Sequence, residues 1–452
     1  MLPTMTGPAV GEPARVVAAP RRWSWASRFR VRQYVKSSLW FVPLLGGLLG
    51  LALAFADLAI DPHVQLPADF TYSSGTASSV LSTIVGAMVG LLGFVVTIGV
   101  LVVQTATGTL SPRFMRLWYR DPLQKVVLAT FSGTFTFAFT LLRKVDDAHV
   151  PSIGVTIAGV LVTVSLFMLL VFLDRFTHVL RPVAVGDLMV RYGLAAMRPP
   201  AAIPGATPRD IPCPPRIQPD LAVRSDRGGV VQAVNVRGLF ETAQKHRCRI
   251  VLTRPPGAFV SIGATVAEVY GDGDLPDPVD IAGLVALGIE RTIDQDPAFA
   301  LRILVDIAIR ALSPAVNDPT TAIQMLNHIE IFIEAVTERG HRAGAFALVD
   351  PDGVERLVAP SRSVEDFLLL ATTEIMDYGG RSIQVCRRLM ALFDSLDVII
   401  DPADRPALQT QRARLDALVT ANFAESEQML ARRADGQGIG GAGTGPAESP
   451  VV

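Results

Sequence analysis

The least ordinary stretch of the chain is Ala311-Leu-Ser-Pro-Ala-Val-Asn-Asp-Pro-Thr-Thr-Ala322. Here Ser313, Asn317, Asp318 and Thr320 gather hydroxyl, amide and carboxylate groups around a single turn. Upstream, Arg291 and Asp294 stand in Glu290-Arg-Thr-Ile-Asp-Gln-Asp296, and Asp306 and Arg310 share a helix face at i, i+4. Three chemistries suit these residue types. Asp before Pro opens a helix: the carboxylate accepts first-turn N–H groups, and Pro fills the first position without wasting a donor. The same helix start can hold an anion or small ligand on its free N–H groups, with Arg291 or Arg310 as counter-charge. Catalysis would cast Ser313 as nucleophile beside Asp318, but no His or Lys is near and no known catalytic motif is present. No catalytic residue is therefore assigned. The ligand-binding candidates are Arg291, Asp294, Asp306, Arg310, Ser313, Asn317, Asp318 and Thr320.

The elements that must position these groups begin in a bilayer. Four apolar runs, Leu39–Ile60, Val80–Val103, Val126–Leu142 and Ile153–Leu173, each approach the ~20 residues that a membrane-crossing helix needs. No charged residue lies deep in any run, which argues against a proton-coupled pump and leaves a channel with neutral walls open. Gly46 and Gly50 in the first run, and Gly86, Gly90 and Gly93 in the second, have the spacing that lets helix backbones approach closely. Ser82, Thr83 and Thr97 either bond backbone carbonyls or line a water path.

Loop charge orients the runs. Arg15, Arg21, Arg22, Arg28, Arg30, Arg32 and Lys36 precede the first, Asp61–Ser79 carries no Lys or Arg, and Arg113, Arg116, Arg120 and Lys125 follow the second. The positive-inside rule puts the N-terminus, the second loop and the C-terminal region in the cytoplasm of a multi-pass inner-membrane protein. Only Arg143 and Lys144, in the third loop, disagree. Ala54-Phe55-Ala56 resembles a signal-peptide cleavage site, but the long basic segment before the run favours an uncleaved anchor. Trp23, Trp25 and Trp40 among the arginines suit either an inner-leaflet amphipathic stretch or a solvated basic tail.

Beyond a Pro- and Ala-rich linker at Met197–Pro219, strands are expected at Val230–Val234, Arg249–Leu252 and Thr265–Val269, with a short helix over Val236–Arg247. From Ile281 the pattern reads as helical. A hairpin at Ala345–Val358 turns on Asp350-Pro-Asp-Gly353, Ser363 and Asp366 have capping spacing, and helices are expected at Ser382–Leu396 and Arg405–Arg432. The domains expected are a basic, partly disordered segment 1–37, a four-helix transmembrane domain 38–175, a juxtamembrane segment 176–219, a β-rich module 220–275, a helical domain 276–434 and a disordered tail 435–452. The fold class is an α-helical membrane bundle followed by an α+β cytosolic region.

Cys213, Cys248 and Cys386 are scattered and the histidines dispersed, so no metal site is expected. Gly257-Ala-Phe-Val-Ser-Ile-Gly263 resembles the hairpin of biotinyl-lipoyl-like modules, but its turn has no lysine and no cofactor is expected. A Walker A loop, a dinucleotide loop and His-Glu-x-x-His are all absent, and no basic, aromatic-laced patch suggests nucleic acid. The Ala311–Ala322 stretch, the Arg291-Thr-Ile-Asp-Gln-Asp296 segment and Ser111-Pro112-Arg113 together resemble the domain of unknown function 2254 family of predicted bacterial membrane proteins, over most of residues 35–430. That resemblance implies the architecture and no activity. The function expected is non-enzymatic: a homo-oligomer whose cytosolic domain regulates a channel-like or passive-transport bundle. The alternatives are a membrane-anchored scaffold or ligand sensor, and an enzyme centred on the Asn317-Asp318 turn. The partners expected are the lipid bilayer and further copies of the chain.

Overall fold

A computed structural model describes residues 23–64, 67, 71–114, 120–147, 150–179, 181–198, 203–212, 218–339 and 344–439. The expectations for residues 1–22 and 440–452, and for Cys213 and Arg116, fall outside these. The chain divides into two compact units. One comprises Met1–Val31, Met189–Val305 and Leu326–Val452, and the other Arg32–Leu188 and Asp306–Met325.

In the second of these units, α2 (Phe41–Ile60), α3 (Ser74–Thr109), α4 (Pro122–Leu142) and α5 (Ser152–Val179) are helices long and apolar enough to cross a membrane. α4 starts as Asp-Pro predicts: the Asp121 carboxylate accepts the Leu123 N–H at 3.0 Å. Ala54, Leu81, Met88, Phe137, Leu141 and Ala158 pack as one core, and Val95, Val127, Phe131 and Phe172 as another. A buried hydroxyl pair, Thr134 and Ser165 at 3.2 Å, joins α4 to α5.

The glycines divide. A β-carbon on Gly46 would overlap the Ala129 carbonyl, and one on Gly50 the Gly133 carbonyl, so α2 and α4 touch backbone to backbone. At Gly86, Gly90 and Gly93 on α3 no other element among the described residues comes within 4 Å of that position. Among the described residues they meet no other helix, because α3 packs through the opposite face, Ala77, Leu81, Ile84 and Met88. Thr83 donates to the Ser79 carbonyl (2.8 Å), Ser82 to the same oxygen (3.2 Å) and Thr97 to the Gly93 carbonyl (2.9 Å). These side chains also face away from the core, so they line no path inside a single bundle.

The other unit is mixed α and β. A six-stranded sheet has the order β1 (Thr207–Ile211), β8 (Ala345–Val349), β9 (Glu355–Pro360), β4 (Arg249–Leu252), β6 (Thr265–Tyr270), β2 (Leu221–Arg224). It is antiparallel except between β4 and β9. A three-stranded sheet has the order β5 (Phe259–Val260), β3 (Gly229–Val234), β7 (Val285–Gly288). The two arms of the Gly257–Gly263 hairpin thus enter different sheets. With strands of both sheets, α7 (Val236–Lys245) and α8 (Pro278–Ala282) form one core that buries Leu239, Phe240, Ile250, Val269 and Ile281.

Three expectations need correction. The linker contains β1, a polar edge strand whose Pro208 is tolerated because an edge need not donate on both sides. The helical pattern does not begin at Ile281: β7 follows α8, and helix resumes only at α9 (Pro297–Ala311). Helix Arg405–Arg432 is two helices, α13 (Arg405–Asn422) and α14 (Glu425–Arg432), broken where Phe423 and Ala424 are extended. The break lets α14 fold back onto α12 (Ile383–Ile399), where Arg387 bonds the Leu430 carbonyl at 2.8 Å. The remaining helices are α1 (Trp25–Ser37), α6 (Pro182–Ala196), α10 (Pro319–Glu338) and α11 (Val364–Gly379). α11 opens with a complete Ser363–Asp366 capping box. The first turn of α1 is bound to protein: the Ala26 N–H donates to the Gly283 carbonyl at 2.9 Å.

Candidate functional site

The predicted site residues fall into two groups, one in each compact unit. Arg291 and Asp294 belong with the β-rich module. Arg291 donates from Nε (2.9 Å) and Nη2 (2.6 Å) to one oxygen of Asp296, and its guanidinium lies 5.0 Å from the Phe299 ring centroid. Burial pushes the Asp296 carboxyl above its ordinary range, and Arg291 opposes that. Gly257, at φ +87°, lets the backbone pass against this pair: a β-carbon there would overlap the Asp296 carboxylate. The rest of the segment is stitched to β3. Gln295 accepts from the Val234 N–H (2.8 Å) and donates to its carbonyl (3.1 Å), mimicking a neighbouring strand. Thr292 donates to the Gln232 carbonyl at 3.1 Å. Asp294 is exposed.

The second group gathers at the end of α3. There the chain turns through Ser111-Pro112-Arg113, with Ser111 buried and its hydroxyl accepting the Arg113 N–H at 3.3 Å. Arg113 forms an ion pair with Asp306 of α9, and the Ser111 hydroxyl donates to the same carboxylate oxygen at 3.4 Å. Asp306 is buried, while Arg113 is half exposed. One turn further along α9, the Nε of Arg310 donates to the Gly108 carbonyl at 2.7 Å. Gly108 lies in the last turn of α3, whose carbonyls have no partner within the helix. A guanidinium there satisfies one of them and complements the negative helix end.

The turn from α9 to α10 follows directly. Ser313 donates to the Arg310 carbonyl at 2.7 Å. Asn317 sits at φ +49°, a left-handed conformation that Asn tolerates better than most residues. Asp318 accepts from the Thr321 N–H (3.1 Å) and from its hydroxyl (2.6 Å), a helix-cap arrangement, and Thr320 is exposed. Arg291 is thus engaged with Asp296, and Arg310 with the Gly108 carbonyl. Sequence reasoning did not count Ser111, Arg113 and Gly108 as site residues. The signal was the Ser-Pro-Arg triplet that follows the second apolar run.

Among the described residues no group of His, Cys, Asp and Glu could hold a metal ion. Cys248 and Cys386 are free and buried, and burial pushes the Cys386 thiol up to about 11.

Four helices long and apolar enough to cross a membrane, followed by a mixed helical and sheet region, define the class as a membrane protein. The sequence model described as "Predicted membrane protein (DUF2254)" matches residues 36–395, and the chain belongs to that family. Uncharacterised proteins of Mycobacterium bovis and Mycobacterium tuberculosis are each 29% identical over 421 residues, spanning 88% of this chain and 79% of the relative. No solved structure matches.

Proposed function

We propose that the protein is a non-enzymatic homo-oligomer of the cytoplasmic membrane, in which a cytosolic region regulates a channel-like or passive-transport bundle. The observation that carries this reading is the closure of α3 by α9. The Arg113–Asp306 pair and the Arg310–Gly108 bond tie a membrane helix without a charged residue to a helix of the C-terminal region. A displacement of α9 would therefore act directly on α3. The outward face of α3, with Thr83, Gly86, Gly90, Gly93 and Thr97, suits a seam between copies, where a conducting path would run.

The test is flux of monovalent ions and small neutral solutes through liposomes holding the purified protein. Flux is expected in the wild type, with its rate changed in Asp306→Asn and Arg113→Gln. A wild-type protein that passes none of these solutes overturns the reading. A second reading, a membrane-anchored scaffold or ligand sensor, is favoured by a cleft of about 550 Å³ lined by Trp23, Trp25, Arg28, Asn235, Glu241 and Lys245. The enzyme reading loses support because the Ser313 hydroxyl and the Asp318 carboxylate are both engaged locally.

A further inference from the structure

One end of the three-stranded sheet exposes large apolar side chains. Phe259 is 65% exposed, Ile262 75% and Ile289 96%. Register makes them neighbours: Phe259 pairs with Val230, Val230 pairs with Gly288, and Ile289 follows. Across two strand spacings that is roughly 10 Å. Ile262 lies in the turn after β5, against Gly228, and Gly263 at φ +78° returns the chain to β6.

Arginines surround this tip. Arg224 donates to the Gly263 carbonyl at 3.1 Å, and Arg30 lies beside Asp226 and Arg227 in one small cleft. Of the acids there, Asp226 is taken up by Arg227, which donates to both of its oxygens at 3.0 Å; Glu290 follows Ile289. Arg30 belongs to α1, which carries Arg28, Arg30, Arg32 and Lys36 and no acidic residue. The chain reaches the first apolar helix at Phe41, so even a fully extended link from Arg30 is no longer than ~40 Å.

We propose that this tip docks on the anionic leaflet that the chain itself enters at Phe41. Phe259, Ile262 and Ile289 would sit at the headgroup–acyl boundary, with Arg30 and Arg224 on lipid phosphates. Exposed apolar side chains flanked by arginines match the chemistry of that boundary, and anionic lipid supplies the complementary charge. The tether raises the local concentration of the surface, so weak docking suffices. The inference does not depend on conduction by the bundle.

The experiment uses the full chain in nanodiscs of phosphatidylcholine, with and without phosphatidylglycerol. An environment-sensitive label is placed at Ile262→Cys in a Cys213→Ser background, where Cys248 and Cys386 are buried. A control label at Asp272→Cys lies beyond the other end of β6. Shallow doxyl-lipid quenching at residue 262 is expected to rise severalfold with phosphatidylglycerol and to stay low at residue 272. Arg30→Gln with Arg224→Gln should abolish the lipid dependence. Phe259→Ser, a solvent-facing change that leaves the fold intact, should weaken quenching in otherwise wild-type tips. Quenching at residue 262 no greater than at 272 in either lipid overturns the proposal. So does label shielding in lipid-free detergent that grows with protein concentration, which would assign the tip to a second copy. Neither readout involves flux, so failure here is separable from failure of the channel reading.

Discussion

At the scale of single residues, Asp318 separates structure from chemistry. Its carboxylate caps α10 through Thr321, so Asp318→Ala should cost about 1 kcal/mol and Asp318→Ser should recover most of it. Thermal melting of both variants beside liposome flux checks this; restored stability with lost flux would show that the carboxylate does more than cap. Asp350 gives a pH prediction. Burial alone pushes its carboxyl up, but the Val354 N–H (2.9 Å) and the Arg356 guanidinium (2.6 Å) outweigh that and hold it below the usual range. A depressed folded value means stabilisation that is full above the unfolded carboxylate value and lost as pH falls through the folded one. Asp350→Asn should therefore melt lower than wild type at pH 7, and the gap should hold down to about pH 4 and narrow below it. The cap was legible because Asp-Pro is a local signal. The pairing of Arg113 with Asp306 was not, since nothing local connects residues so far apart in sequence.

At the scale of elements, the contact between α2 and α4 is the sharpest constraint. Leu at Gly46 or Gly50 would drive a side chain into a backbone carbonyl, and overpacking of this kind costs roughly 1–3 kcal/mol or more. Leu at Gly86 or Gly90 meets open space among the described residues. Melting in detergent should fall clearly for the first pair. For the second it should hold, and any change should appear in migration on a sizing column, the signature of a contact between copies. Spacing revealed small faces on both helices but could not say which one a partner fills, because small-xxx-small is a statement about one helix. The apolar runs were readable from hydropathy, yet the ends of α3 were not: Ser74–Ser79 and Gln104–Thr109 are polar or small and still helical. β7 was missed because Val285-Ala-Leu-Gly288 is short and has no alternating pattern. The break at Phe423 has no Gly or Pro to announce it.

At the scale of the molecule, loop charge makes a testable statement about sidedness. Reporter fusions within 61–79 and after Arg198 should report opposite faces of the membrane, the first periplasmic and the second cytoplasmic. The same face for both would remove the cytosolic assignment. Division of the chain into units was only partly legible. Hydropathy separates the first half from the second, but it could not assign Asp306–Met325 to the unit that contains the apolar helices.

The length of α3 brings bilayer thickness into the picture. α2 has 20 residues, about 30 Å of helix, whereas α3 has 36, about 54 Å. A hydrocarbon layer of ~30 Å matches the first and not the second, so α3 must tilt or project. A thinner or thicker membrane alters how far its last turns emerge, and those turns carry the Gly108 carbonyl that Arg310 holds. Amide exchange at 108–114 should accordingly differ between nanodiscs of short and long acyl chains, while exchange in α2 stays the same. Acyl-chain length then becomes a handle on α9 that requires no ligand.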